Sequence, residues 1–155
     1  MYDSGLNIVS ANASSYKVEN GRKEDRYYYP DNVLDGDYNT AWVEAADGLG
    51  EGEWISLELE GEQEVSGVNI ENGYKKFIDG KSDDYLYNCN ARAKTIRVEF
   101  SDGTYEDFEL TDDFYAINQI MFSYPRVTNY IKITILDAYA GSKYEDTCIS
   151  EISLF

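Results

Sequence analysis

Hydrophobic and polar residues alternate along much of this chain, in short runs typical of strands with one face in a core and one in water. The clearest runs are Ile55–Leu59, Val68–Ile70, Ile96–Phe100 and Ile131–Ile135. Shorter candidates are Leu6–Ala11, Tyr16–Val18, Tyr105–Leu110, Ile117–Phe122 and Cys148–Phe155. No segment sustains the helical period of about 3.6 residues. The chain has about eight such strands, each with one solvent-exposed face. This pattern predicts an all-β fold, an antiparallel β-sandwich of the jelly-roll type.

Two local signals refine this prediction. Asp102-Gly103 lies between two alternating runs and predicts a hairpin turn, because both residue types tolerate positive φ. Pro30–Leu34 predicts a single helical turn that begins at proline. The 155 residues contain no internal repeat and no linker, so residues 1–155 are interpreted as one domain.

Two long stretches lack strand patterning, Asn32–Glu53 and the tyrosine-rich Asn72–Arg92. Connections longer than about 12–15 residues in a compact domain are usually functional. The alternative is ordinary solvated surface. Both stretches are therefore candidate functional segments.

The charge balance excludes several functions. Lys and Arg number 13 against 30 Asp and Glu, with no His, which gives a net charge of −17. Nucleic acids and anionic membrane surfaces attract positive charge, so neither is an expected partner. No run approaches the roughly 20 apolar residues that a membrane helix needs, so membrane insertion is not expected either. Without His, Ser-His-Asp and Cys-His catalysis are excluded. Acidic pairs are too common here to indicate a glycosidase, and no enzyme activity is expected.

The two cysteines, Cys89 and Cys148, do not form a CxxC motif. Their number alone leaves a disulfide and two free thiols equally open. Cys148 begins the last predicted strand, whereas Cys89 lies within the second unpatterned stretch. We therefore expect the two residues to be apart and reduced.

A short motif, D-G-D-x-x-T-x-W, covers residues Asp35–Trp42. It is not an EF-hand, because Thr40 replaces the required glycine and Ala46 replaces the bidentate glutamate. It resembles the first loop of discoidin-like (coagulation factor five/eight type C) and galactose-binding-like domains, and Cys148–Phe155 resembles their closing strand. A narrower resemblance is to the glycan-binding-type domain of bacterial NAD glycohydrolase toxins and clostridial surface proteins. The segments that carry it are Trp42–Glu44, Gly52–Ile55, Asn72–Tyr74, Asn90–Arg92 and Phe100–Gly103.

The resemblance implies a structural Ca²⁺ ion. Asp35 and Glu151 would give carboxylates and Thr40 its hydroxyl and carbonyl, while Asn32, Asp37 and Ser150 would give carbonyls. Such an ion takes 6–8 oxygen ligands and would neutralise the acidic loop. The alternative is that Asp35 and Thr40 only cap the loop through hydrogen bonds to the backbone.

The second stretch is rich in the residue types that bind sugars. Aromatic rings pack against the C–H patches of a sugar, and planar polar groups hydrogen-bond its hydroxyls. Because loops of related sandwiches cluster at one end, the candidate carbohydrate-binding residues are Trp42, Glu44, Tyr74, Lys75, Tyr85, Tyr87, Asn90 and Arg92. Two alternatives stay open, namely that Trp42 packs in the core and that Arg92 forms a surface salt bridge.

The resemblance implies a non-catalytic carbohydrate-binding or adhesion module, a monomeric unit of a larger bacterial protein outside the cell or on its surface. Its partner would be a glycan. The alternative is a protein–protein or toxin-translocation module that uses the same loop face. Met1–Gly5 lacks a signal-peptide pattern, so either the protein stays inside the cell or the chain is one domain of a longer protein. As the resemblance implies for such a module, the first and last strands should lie close together.

Overall fold

The computed structural model describes residues 6–19 and 27–155, and Met1–Gly5 lie outside this part. Within the described ranges the chain forms seven strands, one short α-helix and one 3-10 helix. The strands are β1 (Ile8–Ala13), β2 (Trp42–Val43), β3 (Trp54–Asn72), β4 (Ala91–Phe100), β5 (Tyr105–Glu109), β6 (Asn118–Tyr139) and β7 (Thr147–Leu154). The α-helix α1 is Tyr85–Cys89, and the 3-10 helix is Pro30–Leu34.

Two long strands, β3 and β6, run through both layers of the sandwich. The first half of β3 pairs with β1 and with residues 130–134 of β6. Its second half pairs with residues 118–121 of β6 and with β7. One layer is thus β1–β3–β6–β4–β5 and the other is β6–β3–β7–β2. The predicted β-sandwich is confirmed, with one parallel contact where Ala91–Arg92 meets Thr147–Cys148.

The sequence predicted four separate strands where the structure has two. Val68–Ile70 continues the strand that contains Ile55–Leu59, and Ile117–Phe122 leads into the strand that contains Ile131–Ile135. At the bend of β6 the register shifts, since Val65 faces Arg126 and Gly67 faces Met121. Pro125 lies in this irregular segment, where a missing amide donor does no harm. The polar residues that suggested strand ends mark a bend instead.

The alternation predicted from sequence fills the space between the layers. Ile55 and Leu57 of β3 lie opposite Ile133 and Ile131 of β6, and all four are fully buried. Phe100 packs edge-to-face on Phe122, with ring centroids 4.9 Å apart. Each such side chain contributes roughly 1.5–3 kcal/mol through removal from water, so this core holds the two layers together.

The shorter predicted elements are largely confirmed. Asp102-Gly103 turns between β4 and β5, with Gly103 at φ 86°. The helical turn at Pro30 exists, and its Asp31 carboxylate accepts a hydrogen bond from the Ala11 amide at 2.7 Å. Among the described residues, no helix is long and apolar enough to cross a membrane.

The strand predicted at Tyr16–Val18 is wrong. Val18 forms only an isolated bridge to Tyr27, and the Lys17 amide donates to the Val43 carbonyl. This segment therefore joins β2 through single contacts.

The helix α1 was not predicted from the sequence, because five residues are too few to establish a helical period.

The expected proximity of the first and last strands is confirmed. β1 and β7 both pair with β3. Leu6 and Ile8 line the same surface groove as Leu154 and Phe155. The described start and end of the chain therefore lie on one side of the domain.

Both cysteines are free, as expected, and both are buried. Burial raises the pKa of the Cys148 thiol well above its usual value, since a thiolate would lose its hydration. We predict that a water-soluble thiol reagent labels neither residue in the native protein. In denaturant without reductant the same reagent should label both, whereas a count of zero would show a disulfide.

Candidate functional site

The second unpatterned stretch is fastened to the sandwich by Arg92. Its guanidinium donates to both carboxylate oxygens of Asp112, from Nε at 3.1 Å and from Nη2 at 2.8 Å. Its Nη1 donates to the carbonyls of Tyr87 and Asn90, at 3.3 and 2.9 Å. The side chain is only 9% exposed, so Arg92 is a buried anchor and not a surface group.

Charge and burial compete at this anchor. Burial opposes ionisation of Arg92, but the hydrogen bond and charge of Asp112 outweigh it and raise the guanidinium pKa. The hydrogen bond from Arg92 lowers the pKa of Asp112. The Tyr87 hydroxyl also donates to Asp112 at 2.7 Å, and burial raises the pKa of this phenol. The network thus joins the end of α1 to the segment that follows β5.

Two further candidates pack inward. The Tyr74 ring meets Tyr28 edge-to-face at 5.8 Å, and both are buried. Asn90 is buried, and its Nδ2 donates to the Leu86 carbonyl at 2.9 Å. Both residues therefore hold the stretch in place.

Trp42 and Glu44 have no exposed surface. The Trp42 indole donates to the Ser15 carbonyl at 2.9 Å. The Glu44 carboxylate accepts the amides of Thr147 and Ala46, at 2.9 and 2.8 Å. Burial raises the pKa of Glu44, and these amide donors oppose the shift. Glu44 thus ties the first stretch to the start of β7.

The predicted sugar-binding platform is therefore wrong as an exposed surface. Six of its members are buried, namely Trp42, Glu44, Tyr74, Tyr87, Asn90 and Arg92. The side chain of Lys75 is 8% exposed, and Tyr85 is half-buried with the Lys81 ammonium 5.0 Å from its ring centre. Trp42 packs in the core, which was the alternative stated for it from the sequence. Arg92 forms a salt bridge, but a buried one.

A different set of aromatic side chains is exposed at this end of the domain. Tyr115 is 79% exposed, Phe77 55% and Tyr38 52%. Together with the half-buried Phe114, they are called the aromatic patch below. Phe77 lies in the second unpatterned stretch and Tyr38 in the first, but neither was among the candidate sugar-binding residues. Phe114 and Tyr115 lie in the polar segment after β5, and their position at the patch depends on tertiary structure.

A nearly buried ion pair lies beside two members of the aromatic patch, Phe114 and Tyr38. The Lys75 ammonium contacts the Glu71 carboxylate at 2.5 Å and lies 5.5 Å from the centre of the Phe114 ring. Phe114 in turn packs edge-to-face on Tyr115 at 4.9 Å. Burial, followed by the charges of Glu71 and Glu151, raises the pKa of Tyr38. The patch thus combines apolar faces with fixed polar groups.

The acidic loop Asp35–Thr40 closes beside this patch. The Thr40 hydroxyl donates to Asp35 Oδ2 at 2.5 Å and lies 3.0 Å from the Asp37 carbonyl oxygen. The Gly36 amide donates to Glu151 Oε1 at 2.9 Å. Burial, together with the neighbouring Asp35 carboxyl, raises the pKa of Glu151 to about 8. The loop therefore brings the carboxyl groups of Asp35 and Glu151 close together.

The predicted calcium ligands Asn32, Asp37 and Ser150 would act through carbonyl groups, and their side chains make hydrogen bonds of their own. The Asn32 amide donates to the carbonyls of Tyr27 and Ala41, at 3.1 and 3.0 Å. The Asp37 carboxylate accepts the Asn39 amide, and the Ser150 hydroxyl donates to the Gly73 carbonyl. Within residues 6–19 and 27–155, no three acidic, Cys or His side chains gather as a metal cluster. The donors that fit Ca²⁺ are the carboxylates of Asp35 and Glu151, the Thr40 hydroxyl and the Asp37 carbonyl.

The sandwich and its acidic first loop define a discoidin-like, galactose-binding-like domain. Many solved structures share the fold, among them three carbohydrate- or chitosan-binding modules. One is the family 32 carbohydrate-binding module of Clostridium perfringens NanJ in complex with galactose, at 18% identity and TM-score 0.63, covering 94% of this chain and 91% of that one. The second is the family 32 module of AlyQ with 4,5-unsaturated mannuronic acid, at 19% identity and TM-score 0.62, covering 97% of each chain. The third is chitosan-binding module 1 of a Paenibacillus sp. IK-5 chitosanase/glucanase, at 17% identity and TM-score 0.61, covering 100% of this chain and 99% of that one.

The chain belongs to the family of NAD glycohydrolase translocation F5/8 type C domains, whose family model matches residues 1–155. No curated protein sequence matches it. The resemblance stated from the motifs is therefore confirmed, both for the broader fold family and for the narrower group.

The Arg92–Asp112 pair gives a direct test of the anchor. We predict that Asp112→Asn lowers the free energy of unfolding by about 2 kcal/mol, because it leaves a buried guanidinium without its counter-ion. The measurement is denaturant unfolding. Asp107→Asn is the matched control, since Asp107 pairs with the exposed Arg97 at 2.8 Å and should matter little. Equal effects of the two changes would contradict a buried anchor.

Proposed function

We propose that this chain is a non-catalytic carbohydrate-binding module that brings a larger bacterial extracellular or surface protein to glycans. The observation that carries the proposal is the aromatic patch. Tyr38 lies beside Glu71, and the Phe114–Tyr115 ring pair lies beside Lys75. Phe77 is exposed two residues after Lys75, and the Arg92 network holds this end of the sandwich. Aromatic faces pack on the C–H patches of sugars, while polar groups accept and donate to hydroxyls.

The fold is shared with modules solved with galactose and with 4,5-unsaturated mannuronic acid and with a chitosan-binding module, which supports the proposal. A second candidate function comes from the family description, which names translocation. In that case the same loop end would contact a partner protein. Binding to sugars separates the two candidates.

We also propose that the Asp35–Thr40 loop binds a structural Ca²⁺ ion. Asp35 and Glu151 would supply carboxylates, Thr40 its hydroxyl and Asp37 its carbonyl. All these donors are oxygens, as Ca²⁺ requires. When bound, the ion would offset the charge of the two adjacent carboxylates and join the loop to β7.

A glycan array tests the main proposal. We predict specific binding to at least one sugar, weakened roughly tenfold by Tyr115→Ala or Phe77→Ala, since each removes an aromatic contact worth about 1.4 kcal/mol. Both side chains are exposed, so the melting temperature should hardly change. Silence of the unaltered chain on the array would favour the protein-contact function.

Tyr105→Ala is the control for that experiment. Tyr105 is 53% exposed but lies on β5 in the other layer, away from the aromatic patch. Its removal should leave sugar affinity unchanged. Equal losses for Tyr105→Ala and Tyr115→Ala would indicate nonspecific adhesion through tyrosine.

The calcium proposal is tested by thermal unfolding. We predict that chelator lowers the melting temperature and that added Ca²⁺ restores it, because the ion binds only the folded loop. Glu151→Gln should abolish this response, whereas Glu109→Gln, an exposed carboxylate on β5, should retain it. Identical melting of the unaltered chain in chelator and in Ca²⁺ would refute the site.

A further inference from the structure

A groove of about 970 Å³ begins beside Tyr38 and reaches Phe155. It follows the outer face and edge of the second half of β7, beside β3. Its volume is within the range of roughly 300–1,000 Å³ that small-molecule sites occupy. None of the eight residues predicted from sequence to bind sugar lines it. The groove is therefore a separate feature from the predicted platform.

Polar side chains from three neighbouring strands lie in line across this groove. Asn69 on β3 faces Gln119 on β6 and Ser153 on β7. Asn69 Nδ2 donates to Ser153 Oγ at 3.3 Å. Their neighbours Val68 and Ile70 are buried on the opposite face of β3. Amides and a hydroxyl each offer both donors and acceptors, so the row suits a ligand rich in hydroxyl groups.

An aromatic side chain lies on each side of this row along the direction of β3. A Cβ added to Gly67 would lie 2.2 Å from Cζ of Phe155, so the Phe155 ring rests directly on the strand where a glycine leaves room. On the other side Tyr38 lies beside Glu71. Gly67 and Glu71 are separated by roughly 13 Å of strand, at about 3.3 Å per residue. The two rings thus bracket the polar row.

The remaining walls set the charge and polarity of the ligand. Ile8 and Leu34 contribute apolar surface on one side. The ionisable lining residues are Asp35, Glu71, Glu151 and Tyr38, with no Lys or Arg among the described residues of the lining. Glu71 is already paired with Lys75. An anionic sugar would therefore find no cationic side chain among these lining residues, in a chain of net charge −17.

We propose that this groove binds a short neutral oligosaccharide, laid along β3 and β7 between Tyr38 and Phe155. The inference rests on the proposed carbohydrate-binding function and adds to it a second contact surface and a ligand class. Asn69, Gln119 and Ser153 hydrogen-bond the sugar hydroxyls. Tyr38 belongs to both the aromatic patch and the groove, so one chain of sugars can contact both.

The test is an array of short neutral galacto-, manno- and N-acetylchito-oligosaccharides beside their sialylated or uronate counterparts, followed by calorimetric titration of each neutral sugar that binds. Ser153→Tyr fills the groove from an exposed strand position and should abolish binding without lowering the melting temperature. Gln119→Ala should weaken binding roughly fivefold, as for the loss of one hydrogen bond. Asn12→Ala, an exposed amide on β1, is the matched control and should change nothing.

The outcomes separate the groove from the proposed function. Neutral-sugar binding that survives Ser153→Tyr, or that falls equally with Asn12→Ala, overturns the groove and leaves the carbohydrate-binding function in place. Binding restricted to the anionic sugars overturns the ligand class. Silence of the unaltered chain on the whole array overturns the proposed function and the groove with it. Neutral binding lost in Ser153→Tyr, weakened in Gln119→Ala and retained in Asn12→Ala supports the inference.

Discussion

The pairing of β3 with β6 holds the rest of the structure in place. Both strands bend from one layer into the other, so their hydrogen bonds stabilise the two sheets and the corner between them at once. Every other strand adds to this pair directly or through one neighbour. The second half of β3 also ends at Asn72, where the tyrosine-rich stretch begins. The bend therefore determines where the candidate site lies.

The scarcity of positive charge explains how that site is built. With 13 cationic and 30 acidic side chains, most acids must face water alone. Yet the cationic side chains of Lys75, Arg92 and Arg126 are buried, and each pairs with a carboxylate, Glu71, Asp112 and Glu106 in turn. Arg126 also stacks on Tyr124, 3.6 Å from the ring centre. These cations fix loops and bends, and they leave the outer surface strongly acidic.

Period-2 alternation was enough to predict the sandwich, since it depends only on which face of each strand meets the core. The alternation could not predict the bends of β3 and β6, because a run of polar residues looks the same in the sequence whether a strand ends there or bends. The same limit applied to the site. Tyr74, Tyr87 and Arg92 have the residue types that bind sugars, but those types also suit a buried network. Only the partner Asp112, 20 residues along the chain, decides between the two.

The Arg92 anchor has a consequence for how binding specificity can change. It fixes the end of α1 and the segment after β5, while Phe77 and Tyr115 lie beyond it and are largely exposed. Substitutions of these two residues change the exposed surface at this end of the domain but leave the Arg92 network intact. Natural drift, or a randomised library confined to these positions, can therefore vary this exposed surface on an unchanged scaffold.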